Sequence, residues 1–355
     1  MKTLAAIPML VRQHAEDAAF LFVQRGRAFH GQSWDEMQLG RTDQRIAGNI
    51  AGLVAAGKTG LEIAAEYAET VGGAGEVFAL AVTAFAQGSA VEFTLAAGLG
   101  SPAGRKGLSG ALAWTEPRVI GPQVRRWLES GEEGLRFLGL VALSHHRSDP
   151  GAMLAGFLTD PAPEVRSRAA RLAFELGRVD LAGHMLDLAA GDLWSLLALA
   201  RFGKGAGPLY DHATMAEAPV AELALDTALI AAPDQARERL GAMLRQPTTR
   251  ALALSRAGVT GDLSVAGWLW QQLDQEADVD AAQFALFDIY PLDPDLCGDL
   301  AQRPVSLDVW LKAHANDPPH LSLRRKRLDV LRAGFRDRAT PLPDWRRTRA
   351  YPAWS

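Results

Sequence analysis

Short apolar-periodic segments, each closed by Gly, Pro or Asp and each returning after a similar interval, limit this chain to very few architectures. From residue 76 onward the segments run to about ten to fifteen residues, with apolar positions three and four apart. Aligned by eye, Gly134-Leu-Arg-Phe-Leu-Gly-Leu-Val-Ala142 is followed by Glu164-Val-Arg-Ser-Arg-Ala-Ala170, then by Leu193-Trp-Ser-Leu-Leu-Ala198. Further copies cover 220–232 and 249–257. Ala142, Ala170 and Ala198 recur at intervals of about 28 residues. A hairpin of two such helices cannot bury its own apolar face, so neighbours must stack, and small residues at the crossings let them approach. Ala and Leu dominate while β-branched residues are sparse, which favours helix for entropic reasons. The pattern predicts an all-α fold, an α-solenoid of stacked antiparallel helix pairs.

Ahead of the array, 5–29 form one broad helical stripe ended by Gly31. A second helix starts near Asp35 or Thr42, carries Ile46, Ile50, Leu53 and Val54, and stops at Gly57. A third covers 61–70 before Gly72, Gly73 and Gly75 break the chain. Three regions follow: an N-terminal helical cap (1–75), the repeat array (76–300) and a C-terminal helical region with a basic Pro/Arg-rich tail (301–355). The sharpest unit covers 159–177. Its Asp160 can cap, Pro161 and Pro163 suit a first turn, and Val165, Ala169, Leu172 and Leu176 form the buried stripe. With its Asp-Pro, its Val-Arg and its late Gly177, this unit resembles a HEAT-type repeat.

A formal charge of −4 argues against an obligate nucleic-acid binder. Cys297 is the single cysteine, so neither an intramolecular disulfide nor a thiolate metal site can form. The opening Met1-Lys-Thr-Leu-Ala-Ala-Ile-Pro8 is interrupted by Pro8 and then by Arg12, His14, Glu16 and Asp17, and reads as the lead-in to a helix rather than a signal peptide. The longest apolar run, 77–86, is too short to cross a bilayer. The expectation is a soluble, cytoplasmic protein.

Gly52-Leu-Val-Ala-Ala-Gly57-Lys58-Thr59 fits the phosphate-binding P-loop expression letter for letter. That chemistry needs a strand before the first glycine, and 43–51 carry helical spacing instead, so the match reads as a helix ending at Gly57. His145 and His146 point about 100 degrees apart on a helix and lack a converging acid, since Glu133 falls on the far side. His14 and Glu16 have no partner at three or four residues. Glu132, Glu133, Asp278 and Asp280 read as solvated caps. No catalytic, cofactor-binding or metal-binding residue is assigned. The C-terminal region stands out as basic: Arg324, Arg325, Lys326 and Arg327, then Arg332, Arg336, Arg338, Arg346, Arg347 and Arg349. Arg324, Arg325, Arg327, Arg332 and Arg336 form a candidate interaction surface for an acidic partner or a phosphate backbone; the bland reading is a solvated helix face. Trp345, Tyr351 and Trp354 could pin a tail onto the array.

With both ends and the centre in view, the chain resembles a family of HEAT-like proteins found with bacterial type VI secretion genes. His14-Ala-Glu16-Asp-Ala-Ala-Phe-Leu-Phe-Val-Gln-Arg25 looks like that family's opening helix, and Asp43-Gln-Arg45 through Gly57 like its second signature, with Gly48 and Asn49 where the family is more acidic. Residues 160–177, Arg256-Ala-Gly-Val-Thr-Gly-Asp262 with Trp268, Trp310 and 324–338 follow in the family's order. The resemblance implies a setting, a Gram-negative cytoplasm with a secretion apparatus; together with the repeat and the missing chemistry it leads to the expectation of a non-enzymatic scaffold without cofactors that binds a protein: a secretion effector, a toxin or a loading component. The role it favours is adaptor or chaperone. An immunity protein that blocks a cognate toxin is the alternative, and a nucleic-acid-binding array a third reading.

Overall fold

A computed structural model describes residues 6–29, 31–89, 91–217, 220–297, 300 and 306–344. Among them the regular structure is helical, apart from one isolated antiparallel bridge between Asp35 and Ser322.

The chain opens with α1 (Pro8–Ala28), α2 (Glu36–Ala55), α3 (Lys58–Val71) and α4 (Ala74–Gln87). Pro8 starts α1 where no backbone donor is needed. A capping box starts α2: Asp35 accepts from the Gln38 amide, and the Gln38 side chain accepts from the Asp35 N–H. Gly57, at φ 60°, separates α2 from α3, and Gly72, at φ 70°, ends α3 in the left-handed conformation that glycine adopts without strain. Only two residues then separate α3 from α4. Helix α1 packs on α2, α3 and α4. It reaches α4 so closely that a Cβ on Gly75 would lie 2.3 Å from the Ala19 carbonyl oxygen.

Beyond α4 the helices alternate. They are α5 (Val91–Leu99), α6 (Pro102–Trp114), α7 (Pro117–Leu128), α8 (Glu133–His146), α9 (Met153–Phe157), α10 (Pro163–Leu176), α11 (Ala182–Leu188), α12 (Leu193–Arg201), α13 (Gly207–Met215), α14 (Val220–Ala231), α15 (Ala236–Leu244), α16 (Pro247–Arg256), α17 (Ala266–Gln272) and α18 (Val279–Ile289). From α4 to α18 each even-numbered helix packs on the next even-numbered one, forming one row. Each odd-numbered helix from α5 to α17 packs on the even-numbered helix that follows it. This is a succession of neighbouring helix pairs compatible with an α-solenoid. Ala142, Ala170 and Ala198 are all buried on the first row, as their spacing predicts. Val165, Ala169, Leu172 and Leu176 are buried too.

An ionic device ties one unit to the next. Arg136, in the first turn of α8, donates to the Ser130 and Gly131 carbonyls at the end of α7 (3.0 and 2.8 Å) and reaches forward to both Asp160 oxygens (2.8 and 2.9 Å). Arg166 in α10 repeats the backward contact on the Asp160 and Pro161 carbonyls, and Arg250 in α16 on Leu244. Arg250 also repeats the forward contact, on Asp278. Asp160 therefore sits just outside the α10 cap, accepting from the Ala162 amide, and Arg136 holds its carboxyl below the usual value against the opposing effect of burial. Asp278 is not the solvated cap that its position suggested: it is 5% exposed and paired with Arg250.

After α18 come α19 (Pro294–Cys297), α20 (Leu307–Ala313) and α21 (Leu323–Arg336). Trp310 of α20 is buried among Trp270, Phe287 and Tyr290. Then the chain doubles back. Leu323 donates to the Trp34 carbonyl (2.8 Å), Arg332 reaches the Val259 carbonyl, and Leu342 donates to the Glu175 carbonyl (2.7 Å). The segment thus retraces the first row from α18 towards α8. It also meets the chain's beginning: Gln32 donates to Phe284 O (2.8 Å) and Asp288 Oδ1 (2.9 Å), and accepts from the His320 ring (2.8 Å). The loop after α1 and the last helix pair, some 250 residues apart, are in direct contact.

Candidate interaction surface

The basic C-terminal helix does not present a row of free arginines. Arg324 is 3% exposed. Its Nε and Nη2 hold both oxygens of Asp288 on α18 (2.8 and 2.6 Å), and its Nη1 reaches Asp226 on α14 (3.3 Å). Its guanidinium also lies over the Phe284 ring, 4.7 Å from the centroid. Arg327 faces Asp226 at 3.9 Å. Asp226 is fully buried; burial pushes its carboxyl up, but the charges of Arg324, Arg256 and Arg327 outweigh that and hold it below its ordinary value. Arg325 is half-buried against the Asp288 and Ile289 carbonyls, and Arg332 pairs with Asp329. Of the five arginines proposed as a surface, Arg336 is exposed while Arg324 is buried and the other three are half-buried. The expected basic face is corrected to a seam that joins α21 to the array. Arg346, Arg347, Arg349, Trp345, Tyr351 and Trp354 lie outside the described residues.

The N-terminal signature residues also divide. Arg25 and the buried Asp43 form a two-point pair (2.6 and 3.3 Å) that ties α1 to α2. His14 bonds Asn49 at 2.9 Å and lies against Gly52, where a Cβ would come within 2.5 Å of its ring. Glu16 and Arg45 are exposed. Gly52, the first glycine of the apparent P-loop, is inside α2, and Lys58 is 88% exposed in the first turn of α3 beside Glu62 (3.2 Å). His145 and His146 both reach α6, one at Ser109 Oγ and one at the Leu112 carbonyl, each at 3.0 Å. Burial raises the Cys297 thiol to about 11. Among the described residues, no three His, Cys, Asp or Glu side chains group as metal ligands, and no helix is long and apolar enough to cross a membrane.

Further buried charges escaped the sequence reading. Arg201 is fully buried, and among the described residues no carboxylate pairs with its guanidinium. It donates instead to carbonyls of Phe174, Gly334 and Thr340, so it caps the end of α21 and fastens the segment beyond. Burial lowers it to about 10. Glu175, on α10, accepts from Arg171 (3.0 Å), Arg147 (3.2 Å) and the Ser144 hydroxyl. Burial raises its carboxyl, but Arg171, Arg147 and Arg168 together bring it down to about 2.

Next to Glu175 lies a groove of about 270 Å³, between α8, α10, α12, α14 and α21. Arg171 is stacked over Trp194 on one wall, 4.5 Å from the ring centroid, with Phe174 tilted against the same ring. Comparison of the chain with family models, with curated proteins and with solved structures gave no match.

Proposed function

We propose that this chain is a non-catalytic, HEAT-like α-solenoid that binds another protein, serving a bacterial type VI secretion system from the cytoplasm as adaptor or chaperone for an effector. The unbroken succession of packed helix pairs carries the reading, because such arrays expose a long continuous surface suited to extended or helical ligands. The buried charges support it further. Asp43, Asp160, Asp226, Asp278 and Asp288 are each held by an arginine, so these conspicuous ionic groups serve the fold. The resemblance of 14–25, 43–57 and 160–177 to the secretion-associated family supplies the setting. A nucleic-acid role draws little support, since Arg324 and Arg327 turn towards Asp226.

The test is capture on the full-length chain in strains with the secretion system active and inactive, followed by reconstitution with the purified candidate. Stoichiometric recovery of a secretion component supports the reading. Recovery of none in either strain contradicts it. One-to-one capture of a neighbouring toxin, whose toxicity the chain abolishes, would favour the immunity role instead.

A further inference from the structure

The segment from Leu323 to Leu342 touches every member of the first row from α8 to α18. At its start Arg325 donates to the Asp288 and Ile289 carbonyls that end α18 (both 3.4 Å), and Arg324 joins Asp288 to Asp226 on α14. Seven residues on, Arg332 donates to the Val259 carbonyl just beyond α16. That spacing is a helical rise of about 10 Å, one interval between packed neighbours. Arg201, the last residue of α12, donates to the Gly334 (3.1 Å) and Thr340 carbonyls. The backbone at 338–339 lies against Gly177, the cap of α10, where a Cβ would come within 2.8 Å of the Arg338 carbonyl oxygen. At the far end Leu342 donates to the Glu175 carbonyl of α10 (2.7 Å) and accepts from Arg147, the cap of α8 (2.7 Å).

Apart from Asp226, these contacts fall at or just past the C-terminal ends of the even-numbered helices. Such ends carry unpaired carbonyls and partial negative charge, which accounts for a segment rich in arginine there. Residues 336–341 are exposed, so this part of the segment lies across the row and is not threaded through its core. Arrays in which each unit meets only its neighbours bend readily, because small rotations at each interface accumulate. A single element fastened to α8, α10, α12, α14, α16 and α18 removes that freedom. We propose that 323–342 is a brace that fixes the curvature of the row from α8 to α18, and that lifting it lets the row flex. The brace requires only the packed row, whichever partner the chain serves.

The experiment uses the full chain with Cys297→Ser and places spin labels at Arg125→Cys on α7, which packs on α8, and at Gln271→Cys on α17, which packs on α18. Both positions are exposed, and double electron–electron resonance measures their separation. The brace is loosened from its own side by Arg325→Gln, Arg332→Gln and Leu342→Pro together, the last removing the N–H that bonds Glu175. Hydrogen exchange should then show α21 losing protection by about tenfold or more relative to α14 and α18. The circular-dichroism spectrum should stay that of the parent, and the distance distribution should broaden by about twofold or more. A distribution as narrow as the parent's, with α21 deprotected, would overturn the proposal. Exchange in α21 equal to the parent's would do the same, because these contacts would then not fasten it. Loss of helical signal across the array would make 323–342 part of the core and overturn it equally.

Discussion

The Arg324 guanidinium spans two carboxylates from different helix pairs, Asp288 at 2.6 Å and Asp226 at 3.3 Å, and all three side chains are at most 4% exposed. Buried ion pairs stabilise less than their Coulomb energy suggests, because both charges lose hydration, but removing one member strands the other. Arg324→Met should therefore cost about 3–5 kcal/mol in urea unfolding, whereas Arg336→Met, at an exposed position, should change stability by less than about 0.5 kcal/mol. Equal effects would mean that α21 is not seated on Asp226 and Asp288.

Glu175 gives the fold a defined acid sensitivity. Its carboxyl is brought from 4.5 to about 2 on folding, so the unfolded chain binds the proton more readily in that interval. The stabilisation is complete above the unfolded value and drains away as pH falls towards the folded one. The stability gap between the parent and Glu175→Gln should accordingly be widest near neutrality and shrink between pH 4.5 and about 2. Denaturant titrations across that range measure it, and a gap that does not change with pH would contradict the pairing with Arg147 and Arg171.

The clamp between units is testable by a cycle. Arg136→Ala and Asp160→Ala should each cost about 1–3 kcal/mol, with the double variant costing far less than the sum, because both break the same two-point bond. Additive losses would show that the two residues act separately.

Close helix approach makes its own demand. At Gly75 an added Cβ would meet the Ala19 backbone at 2.3 Å, and backbone cannot swing aside as a side chain can. Gly75→Ala should destabilise by about 1–3 kcal/mol despite its better helix propensity. A stabilised variant would place α4 further from α1 than it is described.

Helices and their packing faces were readable from the residues because both depend on local periodicity: Ala142, Ala170 and Ala198 mark the crossings of the first row, and Gly57 and Gly72 mark helix ends. The C-terminal arginines were misread for a physical reason. A run of Arg on a helix looks the same whether its partner is water or a buried acid, and the acids lie 36 and 98 residues away. A signal was nonetheless present. Asp226 stands within Ala224-Leu-Asp-Thr-Ala-Leu-Ile230 and Asp288 within Phe284-Ala-Leu-Phe-Asp-Ile-Tyr290, each a carboxylate on an apolar stripe that must bury it. A buried carboxylate requires a buried cation, and Arg324 was available. Arg201 left no such trace, since carbonyl partners have no sequence signature. The same limit hid the groove, whose walls come from α8, α10, α12, α14 and α21.

The start of α21 returns to the loop between α1 and α2, where Leu323 donates to the Trp34 carbonyl. Asp35 and Ser322 face each other as an antiparallel bridge, which places their Cβ atoms close enough for a disulfide after modest adjustment. Asp35→Cys with Ser322→Cys, in a Cys297→Ser background, measures that contact under mild oxidation of the folded monomer. One intramolecular disulfide, with both thiols consumed and no dimer, is the predicted result. Free thiols, or cross-links only between molecules, would contradict it.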